Sequence, residues 1–151
     1  MLGRLHRAYR HTGADLPFGN PLAAHGVSME GYFWRVSTPE RAVIALIGVN
    51  RGPQGPWATL GLAAAPHGGL ALADPDGAWA DPGALGVRVE TPDAAFVADA
   101  HQVAVRIGAD SLELTVVQAI PWSRARFGGS SYFHSVPGLN QYWHPWLLGG
   151  R

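Results

Sequence analysis

One strand-like segment places an acidic side chain among aromatic ones. Alternate residues of an extended chain share a face, so Glu30 shares a face with Tyr32 and Trp34, which Ser28 and Val36 extend. Apolar neighbours desolvate a carboxyl group and raise its pKa, and a carboxyl group that stays protonated can donate a proton or hydrogen-bond a ligand. Alternatively, Glu30 is an architectural residue that pairs with an arginine or with backbone N–H groups. The sequence leaves both interpretations open.

A second aromatic cluster lies towards the C-terminal end of the chain. It consists of Tyr132, Phe133, Tyr142, Trp143 and Trp146, with the polar residues His134, Asn140, Gln141 and His144 between them. Large rings with a few polar groups are typical of a small-molecule pocket. Aromatic residues at strand spacing also form ordinary cores. We therefore interpret His134 as a structural residue and leave a catalytic role open for His144.

Several classes of site lack their sequence signatures. The chain has no cysteine, which excludes disulfides, thiol nucleophiles and thiolate metal sites. No histidine pair has the spacing of a zinc site, and the chain has neither a nucleophile elbow nor a glycine-rich phosphate loop. Hydrolase, phosphotransfer and nucleotide-binding functions lose their usual support, and we predict no metal site.

Charge and composition narrow the partners. The 11 basic and 11 acidic residues give a formal net charge of zero, so no electrostatic attraction draws the chain to nucleic acid. Hydrophobic residues make up 47% of the chain and include six tryptophans, which leaves much apolar surface to bury or to offer to a ligand. The opening residues are basic without an apolar signal region, and no stretch approaches the roughly 18 apolar residues of a membrane span. We expect a cytoplasmic protein with no integral membrane segment.

The elements that position these residues are short strands, because twenty glycines and twelve prolines interrupt every helical period. A loop over residues 74–86 separates the fourth strand from the fifth. The predicted strands are residues 27–37, 41–49, 57–64, 69–73, 87–90, 96–107 and 112–118. The last two form a hairpin around a turn at residues 108–110. Its alternation predicts one buried face formed by Val103, Val105, Ile107, Leu112, Leu114 and Val116.

Two of these strands are apolar on both faces. Residues 41–49 are apolar nearly throughout, and the first strand carries Met29, Phe33 and Arg35 opposite the Glu30 face. A strand of this kind is covered on both sides. We therefore expect cover on both faces of the first two strands.

Two segments resemble a known family. Residues 29–35, Met-Glu-Gly-Tyr-Phe-Trp-Arg, resemble the early Glu-Gly-aromatic-aromatic-aromatic-basic strand of tocopherol cyclase-like proteins, which are related to carotenoid hydratases. Residues 133–144 resemble the later Val-Pro-x-x-Glu-x-x-His block of that family. Glu30 and His144 match by residue type, whereas Gln141 stands where the family often has glutamate. That difference removes one ionisable group from the second block.

The resemblance implies a fold and a reaction. It implies an all-β domain, either a lipocalin-like antiparallel barrel or a strongly curved β-sandwich, over residues 16–151 after a lead-in of residues 1–15. In the family this domain is the N-terminal half of a longer protein, so the fold would be incomplete alone. The implied reaction is cyclisation or hydration begun by protonation of an isoprenoid alkene, without a cofactor. The implied catalytic residues are Glu30 and His144, and the ligand-binding residues are Tyr32, Trp34, Tyr132, Asn140, Gln141 and Trp143.

Two functions of different classes follow. The first is binding of an isoprenoid quinol, a carotenoid or another lipophilic molecule, as the front half of an acid-catalysed cyclase or hydratase. Asp99 and Glu113 are secondary candidates for the acid. The second function is a non-catalytic interaction half that docks on a partner domain, a second half-domain or another copy of itself. A monomer that takes up a lipophilic dye would favour the first function, and obligate association would favour the second.

Overall fold

The computed structural model describes residue 4 and residues 29–81, 86–121 and 146–150. For residues 30, 119–121, 146–148 and 150 it describes the backbone alone. This part of the chain contains ten strands. They are β1 (Met29–Ser37), β2 (Ala42–Gly52), β3 (Gly55–Ala65), β4 (Leu70–Ala73), β5 (Trp79–Ala80), β6 (Gly86–Glu90), β7 (Ala94–Asp99), β8 (Gln102–Ile107), β9 (Asp110–Pro121) and β10 (Trp146–Gly150).

The strands form two antiparallel sheets in a simple meander. The four-stranded sheet has the order β1-β2-β3-β4, and the six-stranded sheet has the order β10-β9-β8-β7-β6-β5. Every strand therefore pairs with a neighbour in the chain. The prediction of an antiparallel all-β fold is confirmed. Of its two predicted forms, the described strands adopt the curved sandwich, since no ladder among them closes the sheets into a barrel.

The chain passes from one sheet to the other through a single extended segment. After β4 the pairing with β3 continues, because the N–H of Ala58 donates to the carbonyl of Pro75 (2.8 Å) and that of Gly77 donates to Pro56 (2.9 Å). Gly77 has a φ of 80°, a left-handed conformation that favours glycine, and β5 then pairs with β6. Strands that switch sheets in this way make the corners of sandwiches. The prediction that residues 74–86 form a loop is therefore wrong at β5, which lies within this range.

The core lies between the inner faces of the two sheets. Strand β6 shows how the sequence builds it: Val87 and Val89 are buried, whereas Arg88 and Glu90 alternate with them and are exposed. The largest side chains with less than 2% exposure come from both sheets. They are Phe96, Ile47, Leu60, Val87, Val89 and Val103. Apolar side chains of both sheets thus fill the described interior.

The predicted hairpin at residues 108–110 is confirmed as β8 and β9. Val105 pairs with Leu112, and the loop between the strands is formed by Gly108 and Ala109. Gly108 has a φ of 59°, which suits a glycine at the first loop position of a type II′ turn. The predicted buried face is complete on β8 and half-buried on β9, where Leu112 still packs against the core. Burial is lower on β9 because β10 pairs only with its second half, so within the described residues its first half is a sheet edge.

The single strand predicted over residues 96–107 is wrong, because a turn divides it into β7 and β8. The carboxylate of Asp99 accepts hydrogen bonds from the N–H groups of His101 (2.7 Å) and Gln102 (3.0 Å). An aspartate that bonds the backbone two and three residues ahead stabilises a turn. The buried positions change phase there, from Phe96 and Ala98 to Val103. That phase change was the sequence signal of the turn.

Candidate functional site

The inner face of β1 carries the two aromatic residues predicted to bind ligand. Tyr32 is 9% exposed and Trp34 is 7% exposed. Trp34 lies opposite Ala45 of β2, whose small side chain leaves room for the indole ring. Tyr32 lies opposite Ile47. The predicted shared face of Tyr32 and Trp34 is therefore present and turned towards the core.

Three rings form a series from the edge strand β1 into the centre of the sandwich. Tyr32 stacks against Trp34 with ring centroids 6.3 Å apart and an interplanar angle of 22°. The ring of Trp34 then contacts Phe96 of β7 at 5.6 Å with an angle of 36°. These separations are typical of favourable aromatic pairs. The series joins the two sheets, and exposure falls along it from Tyr32 to the fully buried Phe96.

The structure places the backbone of Glu30 but not its side chain. Glu30 pairs with Val49 in the β1–β2 ladder, two residues from Tyr32 along the strand. Its carboxyl group lies outside the described part of the structure, so its role as an acid stays a prediction. Ser28 also lies outside the described residues. Val36 continues the same alternation but is 41% exposed, because β1 ends one residue later.

The two secondary candidates for the acid lie in a turn and on an exposed strand face. Glu113 is exposed on β9. The Asp99 carboxylate serves the β7–β8 turn, where it also accepts a hydrogen bond from the side chain of Gln102 (3.2 Å). Asp99 is architectural, and Glu113 is a solvated surface group.

The second predicted cluster lies outside the described residues, apart from the backbone of Trp146. The residues concerned are Tyr132, Phe133, His134, Asn140, Gln141, Tyr142, Trp143 and His144. Trp146 begins β10 and pairs with Pro121 at the end of β9. Pro121 and Trp146, which flank the residues that are not described, therefore lie opposite each other at one edge of the six-stranded sheet. The roles predicted for His144 and for the four ligand-binding residues stay predictions.

The sequence did not predict that the outer face of the four-stranded sheet is exposed. The expected cover on both faces of β1 and β2 is absent among the described residues, since Phe33 is 61% exposed and Met29 is 56% exposed. The ladders align two cross-strand rows on this face. They are Phe33, Leu46, Gly61 and Leu72, followed by Arg35, Ile44, Ala63 and Leu70. We call these eight residues the outer apolar face. The apolar character of β1 and β2 was the sequence signal of this face, but it was interpreted as a sign that both sides of these strands are buried.

Residues 29–81 and 86–121 contain no group of three histidine or acidic side chains that could hold a metal ion. Nor does any described helix have the length and apolar character needed to cross a bilayer.

The ring series, from Tyr32 through Trp34 to Phe96, and the outer apolar face are thus the two features of the described chain that a ligand or a partner could use. Comparison with protein-family models, curated proteins and solved structures finds no match for this chain.

Proposed function

We propose that this domain binds a lipophilic small molecule of the isoprenoid class beside Tyr32 and Trp34. The observation that carries the proposal is the ring series from Tyr32 through Trp34 to Phe96. The series begins at Tyr32 and Trp34 on the edge strand β1, which keep a small exposed fraction, and it ends at Phe96, which is fully buried. An apolar chain placed beside Tyr32 would extend this series and lose its contact with water.

The ligand is placed at the β1 side of the sandwich because side chains fill the remaining described interior. Ile47, Leu60 and Val103 are all fully buried. Interiors packed in this way hold few voids larger than a water molecule. A ligand between the central strands would have to displace these residues. At the β1 side it would contact Tyr32 and the side of β1 that no described strand pairs with.

The proposed chemistry follows from a carboxyl group at position 30, two residues before Tyr32. In this proposal Glu30 is protonated and transfers its proton to one carbon of an isoprenoid alkene, which leaves a carboxylate and a carbocation. The faces of the Tyr32 and Trp34 rings stabilise the positive charge. A hydroxyl group of the ligand, or water, adds to the cation, and the proton it loses returns to Glu30. The net reaction is cyclisation or hydration, as in the tocopherol cyclase-like family that the sequence resembles.

Replacement of Glu30 with glutamine tests this role. The amide keeps the shape and much of the hydrogen bonding but cannot donate the proton. We expect a normally folded variant that binds a prenylated quinol within about threefold of the parent and turns it over at least 100-fold more slowly, since general acids contribute roughly 10²–10⁴-fold. Binding is followed by tryptophan fluorescence, turnover by chromatography of the product, and folding by circular dichroism.

A matched control is Glu113→Gln, which makes the same chemical change at an exposed position on β9. It should behave like the parent in every assay. If Glu30→Gln unfolds the domain, or retains full binding and turnover, Glu30 is an architectural residue. If the parent binds the quinol without turnover, the domain is a binding module and the acid role is wrong.

The second candidate function is the interaction half, which a specific observation favours. Leu70 and Leu72 on β4 are 65% and 62% exposed, and together with Phe33 they lie on one sheet face. Exposed apolar patches of this kind mark interaction surfaces in soluble domains. The ring series and the outer apolar face lie on opposite sides of the four-stranded sheet. The two functions are therefore compatible and can be tested separately.

A further inference from the structure

Small residues on β3 let the outer apolar face pack closely within its own sheet. A Cβ atom at Gly61 would lie 2.9 Å from Cγ of Leu46, so this glycine makes room for the leucine to lie across its neighbouring strand. Ala63 has the smallest side chain of the second row and adds no bulk. An apolar sheet face is suited to packing against another sheet, at a separation of about 10 Å.

The same face alternates ridges with a furrow. Next to the row of Phe33 and Leu46 runs a row of Gly31, Gly48 and Thr59. Among the described residues, a Cβ atom built at Gly31 would meet only the carbonyl oxygen of Ile47, at 3.9 Å, so there is room above Gly31 for a side chain. A ridge beside a furrow is complementary to its own copy when the copy is turned by a two-fold rotation, because each ridge then faces the other furrow.

Charge does not oppose contact between two such faces. Arg35 is the one charged residue of the outer apolar face, and its Nε donates a hydrogen bond to Ser37 (3.0 Å) at the margin. The chain has a formal net charge of zero, so two copies do not repel each other over distance. A membrane surface is the less favoured occupant, because peripheral helices and anchors that bind anionic bilayers usually combine apolar residues with several basic ones.

The area is in the range of a real interface. Phe33, Leu70 and Leu72 of the outer apolar face are each more than half exposed, as is Met29, which lies beside this face on the same side of β1. With the half-buried Ile44 and Leu46, they offer on the order of 600 Å² per copy, or about 1,200 Å² when two faces meet. That lies at the lower limit of stable interfaces and above most accidental contacts. The expected affinity is in the micromolar range.

We propose that the outer apolar face joins two copies of this chain in a two-fold symmetric dimer, with the four-stranded sheets packed face to face. The proposal rests on the second candidate function and names its partner. It supplies the cover that the apolar sequence of β1 and β2 requires and that the described chain does not provide. The ring series lies on the other side of the sheet, so each subunit keeps its ligand site.

Light scattering of the purified chain over about 1 μM to 1 mM tests the proposal. We expect the mass to rise with concentration from 16.0 kDa to twice that value. Leu72→Glu places a charge on the outer apolar face, at a side chain of the edge strand β4 that is 62% exposed, and should weaken association at least tenfold. Val117→Glu is the matched control, since Val117 is 68% exposed on β9 of the other sheet and should leave association unchanged.

Circular dichroism and quinol binding of the same variants separate this proposal from the ligand site. Leu72→Glu should fold and bind the quinol like the parent, whether or not the parent dimerises. A second variant, Phe33→Ser, should weaken association without adding charge. A parent that stays monomeric at 1 mM, or association that Leu72→Glu and Val117→Glu change equally, would overturn the dimer. A monomeric parent that binds phosphatidylcholine vesicles through Leu72 would assign the face to a lipid surface instead.

Discussion

Replacement of Val105 with aspartate is expected to lower the free energy of unfolding by roughly 3–5 kcal/mol. Val105 is 3% exposed and lies in the middle of β8, opposite Leu112. It is also the cross-strand neighbour of the fully buried Phe96 on β7. A carboxylate at this position has no described polar partner and must either stay charged without water or become protonated. Single domains are stable by about 5–15 kcal/mol, so the loss brings the protein close to unfolding at room temperature.

Urea denaturation followed by circular dichroism measures the effect. The matched control is Val117→Asp, the same chemical change on the neighbouring strand β9, at a side chain that is 68% exposed. We expect the control to differ from the parent by less than about 0.5 kcal/mol. Equal effects at positions 105 and 117 would show that the inner and outer faces of this sheet are assigned wrongly.

The second large effect is expected from Phe96→Ala, which should cost about 3–5 kcal/mol. Among the described residues, Phe96 is the largest fully buried side chain, and it is the inner end of the ring series. Its removal leaves a cavity against Trp34, because the surrounding strands are held by their ladders and cannot collapse into the space. We expect Phe96→Leu, which retains most of the volume, to cost less than about 1.5 kcal/mol.

Near-ultraviolet circular dichroism separates the loss of the ring contact from the loss of volume. Both variants remove the contact between Phe96 and Trp34, whereas only alanine creates a large cavity. We expect both to reduce the aromatic signal and only the alanine variant to lose several kcal/mol. Equal losses of stability in the two variants would mean that the ring contact, and not the filling of the core, makes Phe96 important.

The strands were predictable where alternation is regular. Val103, Val105 and Ile107 alternate with polar or small residues, and the pattern has one solution because a shift of one residue would expose all three. The same reasoning failed at residues 99–102, where a short turn interrupts two apolar strands. The turn depends on the hydrogen bonds accepted by Asp99, and a segment such as Asp-Ala-His-Gln also occurs within exposed strands.

The site was predictable in part for a related reason. Alternation placed Tyr32 and Trp34 on one face, and the structure buries both. It could not say that Trp34 contacts Phe96, because that contact joins two sheets and depends on how the sheets cross. Nor could alternation distinguish a strand face that is covered by this chain from one that is covered by another molecule. The exposed side chain of Phe33 and the buried side chain of Trp34 look alike in sequence, and only the packing of the sheets distinguishes them.

The central claim is that a lipophilic ligand binds beside Tyr32 and Trp34, and isotope-filtered nuclear Overhauser spectroscopy tests it most directly. Labelled protein is mixed with an unlabelled prenylated quinol, and magnetisation transfer from the methyl groups of the ligand is recorded. The account predicts saturable binding with transfer to the rings of Tyr32 and Trp34. Transfer only to Phe33, Leu70 and Leu72 on the outer apolar face, or no saturable binding, would contradict it.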